Sequence, residues 1–269
     1  MRVDLHLHST ASDGSLRADV LVDQARAGGL DIIALADHDT TSGVQLACST
    51  GEGTIHVIPA IEISTTFDTS ELHVLGYFID TAFPGLATHE LQAIDRRRER
   101  MEAIIDSLGS GGIEVDFADV EAEAAGASVV ARPHLARVLV NRGHAHSVSD
   151  AFDRWIGDNC PAYRPIDLIT PRDAIALIQN AGGLAAWAHP EMAIFDSLIA
   201  RLTDWGLDAI ECFRPRCNLE NTRILEDAVR RRGLLATGGS DWHGPWSGRL
   251  GHWCVGTEEI GAFLERGGI

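Results

Sequence analysis

Short apolar runs recur along the chain, and most of them end in polar side chains. Residues 2–8 read as a first strand. Residues 31–36 form the apolar run expected of a strand covered on both faces, and it ends in Asp37-His38-Asp39. A third strand, 55–63, carries Glu62 near its end, and a fourth, 72–79, carries His73. Residues 184–188, 208–213 and 235–240 supply a fifth, sixth and seventh. Helical patterns fall between them. Val20, Leu21 and Ala25 mark a helix over 17–27 that Gly28-Gly29 ends. Another begins near Pro171, a favourable early helical position, and Gly182-Gly183 closes it. Helices over 195–205 and 219–231 complete the alternation. Strands alternating with helices predict a parallel α/β architecture, and seven strands predict a closed or nearly closed barrel.

Between residues 87 and 163 the strand signal gives way to helical periodicity. Leu91, Ile94, Met101, Ile104, Ile105 and Leu108 share one helix face, which Gly109 to Gly112 terminates. Helical pieces follow at 117–125, 134–141 and 148–157. No Gly/Ser/Pro-rich linker flanks the stretch. The expected organisation is therefore a barrel domain, 1–86 and 166–269, interrupted by a helical insertion, 87–165, over its active site.

With 269 residues and 45% hydrophobic content the chain can bury a full core. No apolar run reaches the roughly eighteen residues of a membrane span. Charge and histidine in Met1-Arg2-Val3-Asp4-Leu5-His6 also disagree with a signal peptide. The five cysteines are odd in number and scattered, which predicts free thiols in the cytoplasm. A net charge of −17 excludes broad binding of long duplex DNA or RNA, but not of a small anion, because bound cations reverse a local field.

The polar ends of the strands carry the chemistry. His6 and His8, like Asp241 and His243, are two residues apart, so on a strand each pair points one way. Asp13 follows the first strand, His38 the second, and His189 the fifth; Glu62 and His73 lie on the third and fourth. In a parallel barrel the strand ends share one face, where loops build the active site. Nine His, Asp and Glu side chains at one rim would be costly without cations, because the carboxylates repel and buried polar groups lose water. A metal centre follows.

The segments His6-Leu7-His8, Ser12-Asp13-Gly14, Ala36-Asp37-His38-Asp39, Glu62, His73-Val74-Leu75-Gly76-Tyr77, Ala188-His189-Pro190 and Ser240-Asp241-Trp242-His243 together resemble, in order, the motifs of the PHP (polymerase and histidinol phosphatase) family of metal-dependent phosphoesterases. The resemblance implies a distorted seven-stranded (β/α)7 barrel holding two or three divalent ions of manganese, iron or zinc. It assigns one metal to His6, His8, Glu62 and Asp241. A second shares Glu62 and adds His73 and His189; a third takes Asp13, His38 and His243. All nine positions are filled, which disfavours a non-enzymatic metal-binding regulatory domain. Three divalent ions against Asp13, Glu62, Asp241 and a bridging hydroxide leave an excess of about two positive charges, suited to a phosphate monoester dianion and not to an uncharged amide. The expected reaction is phosphoester hydrolysis by a metal-bridging hydroxide.

Ala131-Arg132-Pro133-His134 and Pro161-Ala162-Tyr163-Arg164-Pro165 are similar to segments of the PHP subgroup acting on nucleotides and short oligonucleotides. Arg132 is expected to grip a phosphate, and His134 to protonate the leaving alkoxide or bind a phosphoryl oxygen. Arg214 and Arg216 fall after the sixth strand, on the active rim, as candidate phosphate contacts. They sit in Phe213-Arg214-Pro215-Arg216-Cys217, where that subgroup has a tyrosine-rich stretch. Arg96-Arg97-Arg98-Glu99-Arg100 reads as a solvated helix face. No role falls to His56, His89, His144, His146 or His252. The expected substrate is a small phosphate ester, the 3′-phosphate of a nucleoside 3′,5′-bisphosphate. Exonuclease action on short RNA or DNA and histidinol-phosphate hydrolysis are the alternatives.

Overall fold

Runs of Ile, Leu, Val and Ala too short to make helices become strands. In the computed structural model, which describes residues 1–68, 70–124, 126–158, 160–215 and 217–269, these are β1 (Arg2–Leu7), β2 (Ile32–Leu35), β3 (His56–Phe67), β4 (Ser70–Tyr77), β5 (Leu184–Trp187), β6 (Ala209–Phe213), β7 (Leu235–Gly238) and β8 (Val255–Gly256). Helices α1 (Ala18–Ala27), α2 (Val44–Gly51), α3 (Pro84–Ser110), α4 (Phe117–Glu123), α5 (Arg132–Asn141), α6 (Val148–Ala151), α7 (Pro171–Asn180), α8 (Met192–Asp204), α9 (Leu219–Arg232) and α10 (Thr257–Arg266) connect and cover them. Thr69, Ala125, Asn159 and Arg216 lie outside the described residues.

The strands form one sheet in the order β7-β6-β5-β4-β3-β2-β1-β8. Past β7 the chain folds back onto β1: His8 N–H donates to the Trp242 carbonyl (3.0 Å) and Trp242 N–H to that of His6 (3.3 Å). These bonds nearly close the barrel at the rim that carries His6 and His8. At the other end the gap is filled by β8, which pairs antiparallel with β1 through Arg2 and Val3.

Two features differ from an all-parallel seven-stranded barrel. The short β8 is an eighth strand. More important, β4 runs antiparallel to both β3 and β5. A parallel crossover needs a dozen or more residues, and the turn after Phe67 is far shorter, so a hairpin forms instead. The reversal brings the beginning of β4 to the rim where β3 ends. His73 thereby lies opposite Ser64, two residues beyond Glu62.

Apolar side chains seal the layers. Leu21 and Val22 of α1 pack with Ile33, Leu35 and Val57, while Ile175, Phe195 and Leu202 cover Ile61, Val74, Trp187 and Ile210. Phe263 of α10 packs edge-on to Tyr77, with ring centroids 5.1 Å apart. The helices between α3 and residue 162 bury Met101, Ile104, Leu108, Val120, Leu135 and Leu139 against one another. The buried stripe of α3 runs through Leu86, His89, Ala93, Arg97, Arg100, Ile104 and Leu108, whereas Leu91 is 66% exposed. Met101, Ile104 and Leu108 of the expected face are buried as outlined and Ile94 and Ile105 partly so; toward its N-terminal half the helix instead turns Arg97 and Arg100 inward. No described helix is long and apolar enough to cross a membrane.

Gly239, just past β7, lies tight against β1. A β-carbon there would collide with His6 Cβ and lie 2.7 Å from the His6 nitrogen. Gly239→Ala is expected to cost about 1–3 kcal/mol through this overpacking. A thermal midpoint within about 1 °C of the unsubstituted protein would count against the close approach.

Candidate metal centre and active-site cleft

Strand ends and the loops that follow them, with the interior of the β3–β4 hairpin for Glu62 and His73, bring all nine expected ligands to one place, with Glu62 at its centre. Glu62 Oε2 lies 3.1 Å from His6 Nε2, 3.2 Å from His8 Nε2 and 3.1 Å from His38 Nδ1. Glu62 Oε1 lies 2.9 Å from His73 Nδ1 and 3.0 Å from His189 Nε2. Asp241 Oδ1 approaches His6 Nε2 (3.5 Å) and His8 Nε2 (3.3 Å), and Asp13 Oδ1 approaches His243 Nε2 (3.4 Å). Asp39, His189 and Asp241 hold positive φ angles of 55°, 31° and 54°, conformations rare outside glycine and frequent where backbone strain is stored at a site.

Three sets of donor atoms converge closely enough to hold a cation: His6, His8, Glu62 and Asp241; His38, Glu62 and His73; and His8, Asp13, His38 and His243. His189 completes the second through its 3.1 Å approach to His73 Nδ1. The first set coincides with the expected grouping, whereas His8 and His38 reach across groups. His6 Nε2, His8 Nε2, His38 Nδ1 and Glu62 Oε2 are all buried without a hydrogen-bond partner. Unsatisfied buried polar atoms are costly, and four aimed at one region with an all-imidazole and carboxylate donor set fit divalent metal.

The electrostatics agree. Burial disfavours charge on His73 and His243, yet the carboxylates beside them hold both imidazoles up at about 10: Glu62 and Glu71 for His73, Asp13 and Asp241 for His243. Burial likewise opposes ionisation of Glu62 and Asp13, and the imidazoles around them hold both well below the usual carboxylate range. Burial drives His38 down to about 3 despite the carboxylates near it, which keeps its lone pair free. The cluster therefore demands positive charge, and cations would displace protons to supply it.

Several supporting residues escaped the sequence reading. Glu211 of β6, fully buried, accepts from His6 Nδ1 (2.9 Å) and from the His189 backbone N–H (2.7 Å). It fixes the His6 tautomer so that Nε2 faces the cluster. Asp37 accepts from Ser9 N–H, Ser9 Oγ and Ser12 Oγ, and so shapes the loop carrying Asp13. Asp39 accepts from Arg97 Nε and from the His89 ring, both at 2.9 Å. The arginine run is thus not one solvated face. Arg97 and Arg100 are buried, Arg100 donating to the Arg164 carbonyl and Glu71, while Arg96 and Arg98 stay exposed beside Glu99 and Glu102. Helical spacing of three places Arg97 and Arg100 on the inner stripe.

A cleft of about 580 Å³ opens beside the cluster, lined by His189, Asp241 and His243 together with Val148, Ser149 and Phe152. Arg214 lines it; one guanidinium nitrogen donates to the Pro190 carbonyl (2.8 Å), and Nε is buried without a partner. Arg132 stands at the start of α5, bound to Asp158 (2.6 Å) and 3.5 Å from Glu71. His134 lies outside the cluster. Its Nδ1 accepts from Ala131 N–H (3.0 Å), and burial pushes it down to about 4, so the ring is neutral at pH 7. Arg216, the other expected contact, is outside the described residues.

An α/β barrel whose rim gathers these donors above a cleft defines a metal-dependent hydrolase. Comparison with known proteins agrees, although no family model matches the chain. It is 32% identical over 250 residues to the 5′-3′ exoribonuclease Rnm of Escherichia coli, covering 90% of this chain and 85% of the relative. It is 34% identical over 256 residues to a phosphoribosyl 1,2-cyclic phosphate 1,2-diphosphodiesterase of Eggerthella lenta, covering 93% and 96%. To a 3′,5′-nucleoside bisphosphate phosphatase of Chromobacterium violaceum it is 30% identical over 266 residues, covering 96% and 92%. A Bifidobacterium adolescentis structure assigned to the metal-dependent phosphoesterases superposes with a TM-score of 0.87 at 28% identity, covering 98% of this chain and 96% of that one. The chain belongs to the PHP family of metal-dependent phosphoesterases, hydrolases of phosphoester bonds.

Two outcomes follow. Glu211→Gln is expected to weaken divalent-metal binding about 10–100-fold by releasing His6 and His189, as read by calorimetric metal titration. Unchanged affinity would show that Glu211 does not position them. Arg97→Ala leaves the buried Asp39 carboxylate uncompensated and is expected to cost about 3–5 kcal/mol in urea unfolding. Burial raises the Asp39 pKa, but Arg97 and His89 more than offset this and hold it below the ordinary value. Its stabilisation in the unsubstituted protein is therefore present above about pH 4 and fades as the pH falls further. An acid limb identical in the variant would argue against the pair.

Proposed function

We propose that the chain hydrolyses a phosphate monoester of a nucleotide, the 3′-phosphate of a nucleoside 3′,5′-bisphosphate, in the cytoplasm. The observation that carries this reading is a pair of separate anion-seeking points on one cleft. One is the cluster around Glu62, whose unpartnered buried atoms call for cations and which would attract a phosphate once they are bound; the other is Arg214, with its unpartnered buried Nε. A substrate with two phosphates engages both, whereas histidinol phosphate engages one. The five free cysteines accord with a reducing compartment.

In this reading the cluster holds two or three divalent cations, which supply Lewis acidity toward phosphoryl oxygens and acidify water toward neutral pH. His6, His8, Glu62 and Asp241 hold one, Glu62, His73 and His189 a second, and Asp13, His38 and His243 a third. Residues 87–165 act as a helical insertion that covers the site. Arg132 exchanges its exposed partner Asp158 for a substrate phosphate, a small loss because exposed ion pairs contribute little. His134, neutral with Nδ1 occupied, would turn its other ring N–H from the Ser12 backbone to a phosphoryl oxygen. The likeness to exoribonucleases supports a second reading, stepwise hydrolysis of short oligonucleotides from the 5′ end by the same cluster.

Phosphate release by manganese-loaded protein from nucleoside 3′,5′-bisphosphates, histidinol phosphate, a 1,2-cyclic phosphate and short 5′-phosphorylated RNA tests the assignment. The expected result is conversion of the bisphosphate to the 5′-monophosphate at the highest kcat/KM. Asp13→Ala should lower it on the order of 100-fold, and His134→Ala should lower turnover with metal content intact. Preferred release of mononucleotides from RNA would favour the second reading. No release from any substrate would sink both.

A further inference from the structure

Trp246 is 54% exposed, a heavy cost in apolar surface for a side chain that usually seeks cover, and it lines the same cleft as His189, Asp241 and His243. It is not a loose side chain. Its ring lies over bare backbone at Gly244, where a β-carbon would come within 2.5 Å of Cη2 and 2.6 Å of Cζ3. The Arg137 guanidinium sits 6.0 Å from its centroid. Phe152, the first residue of a single π-helical turn (Phe152–Ile156), lines the cleft too, with the Arg132 guanidinium 5.6 Å from its centroid. Single π turns recur at functional sites. Two held aromatic rings thus line the cleft beside the cluster.

We propose that Trp246 and Phe152 form a stacking subsite for the nucleobase of the substrate, a subsite that accepts any base; this rests on the nucleotide reading above. Trp246 follows His243 by three residues, so at most about 11 Å separates their Cα atoms, and the ring is carried by the same short stretch of chain as a cluster residue. Arginine above an aromatic ring presets its orientation and adds cation–π attraction. Stacking is indifferent to base identity, because every base offers a π-face. The remaining polar lining points the same way: Ser149 and Ser247 carry hydroxyls that donate or accept alike, and so do not discriminate base edges.

The test compares KM and kcat for 3′,5′-bisphosphates of adenosine, guanosine, cytidine and uridine with those for the base-free ribose analogue. In the unsubstituted protein the four nucleotides should agree in KM within about threefold, and the base-free analogue should show a KM at least tenfold higher, about 1.4 kcal/mol. Trp246→Ala should remove that gap, with the loss in KM and not kcat, and Trp246→Phe should restore most of it. Quenching of tryptophan fluorescence by nucleoside 5′-monophosphate should shrink in Trp246→Phe. A gap that survives Trp246→Ala would overturn the stacking subsite, and a preference above tenfold for one base would overturn its indifference. Hydrolysis of the base-free analogue at the same KM as the nucleotides would overturn it as well, while leaving phosphoester hydrolysis standing. Absence of release from every substrate would instead mark failure of the nucleotide reading itself.

Discussion

The structure depends on one buried carboxylate. Glu62 has no solvent exposure, and five imidazole nitrogens approach its two oxygens. An isolated carboxylate in that setting would protonate or unfold its surroundings. Here it is balanced only if β1, the chain after β2, β4 and the chain after β5 deliver their histidines together. That requirement explains features costly elsewhere: the near-closure of β7 on β1 through Trp242, the reversed β4 that swings His73 to the rim, and the positive φ angles at His189 and Asp241. Barrel closure and the cluster are one constraint seen from two sides.

A second layer of buried charge keeps that arrangement rigid. Glu211 joins a ring nitrogen of β1 to a backbone N–H after β5, so two chain segments carrying expected ligands share one anchor. Asp39, one residue beyond His38, is bound by Arg97 and His89 of α3, and this ties the first long helix after the hairpin to the rim. Glu71 stands between His73 and the arginines Arg100 and Arg132. Glu211 and Glu71 thus hold His6 and His73 from the rear, and arginines hold Glu71 and Asp39. Preorganisation of this kind removes the cost of reordering polar groups when charge develops during reaction.

The nine cluster residues were legible because each lies at or near a strand end, where alternation predicts direction, and because their motifs resemble one family in order. Glu211 was not. A lone glutamate inside the apolar run Ala209–Phe213 has no local partner, and its partners lie 205 and 22 residues away in sequence. Arg97 and Arg100 were misplaced because Leu91 and Ile94 suggested a different buried face; the inner stripe of α3 is polar where it meets the polar rim. The reversal of β4 was hidden since an apolar strand reads identically in either direction. The cleft was also invisible, being formed by Phe152 and Trp246, which are 94 residues apart and carry no shared periodicity.

An acidic protein handling an anion is less paradoxical than its net charge of −17 suggests. Charges separated by more than about 8–10 Å are largely screened at physiological ionic strength, so a ligand in the cleft feels the cluster and Arg214 before it feels the outer surface. The carboxylates that make the cluster acidic are those that would retain cations, and divalent cations leave a positive excess where a phosphate would sit. A small phosphate ester places all its charge within that radius. An extended polyanion does not: its phosphates beyond the cleft meet a chain of net charge −17. On the proposed nucleotide reading, net acidity favours a small ester or a short strand end over the body of a long duplex, so that selection by size would arise from electrostatics before any base is read.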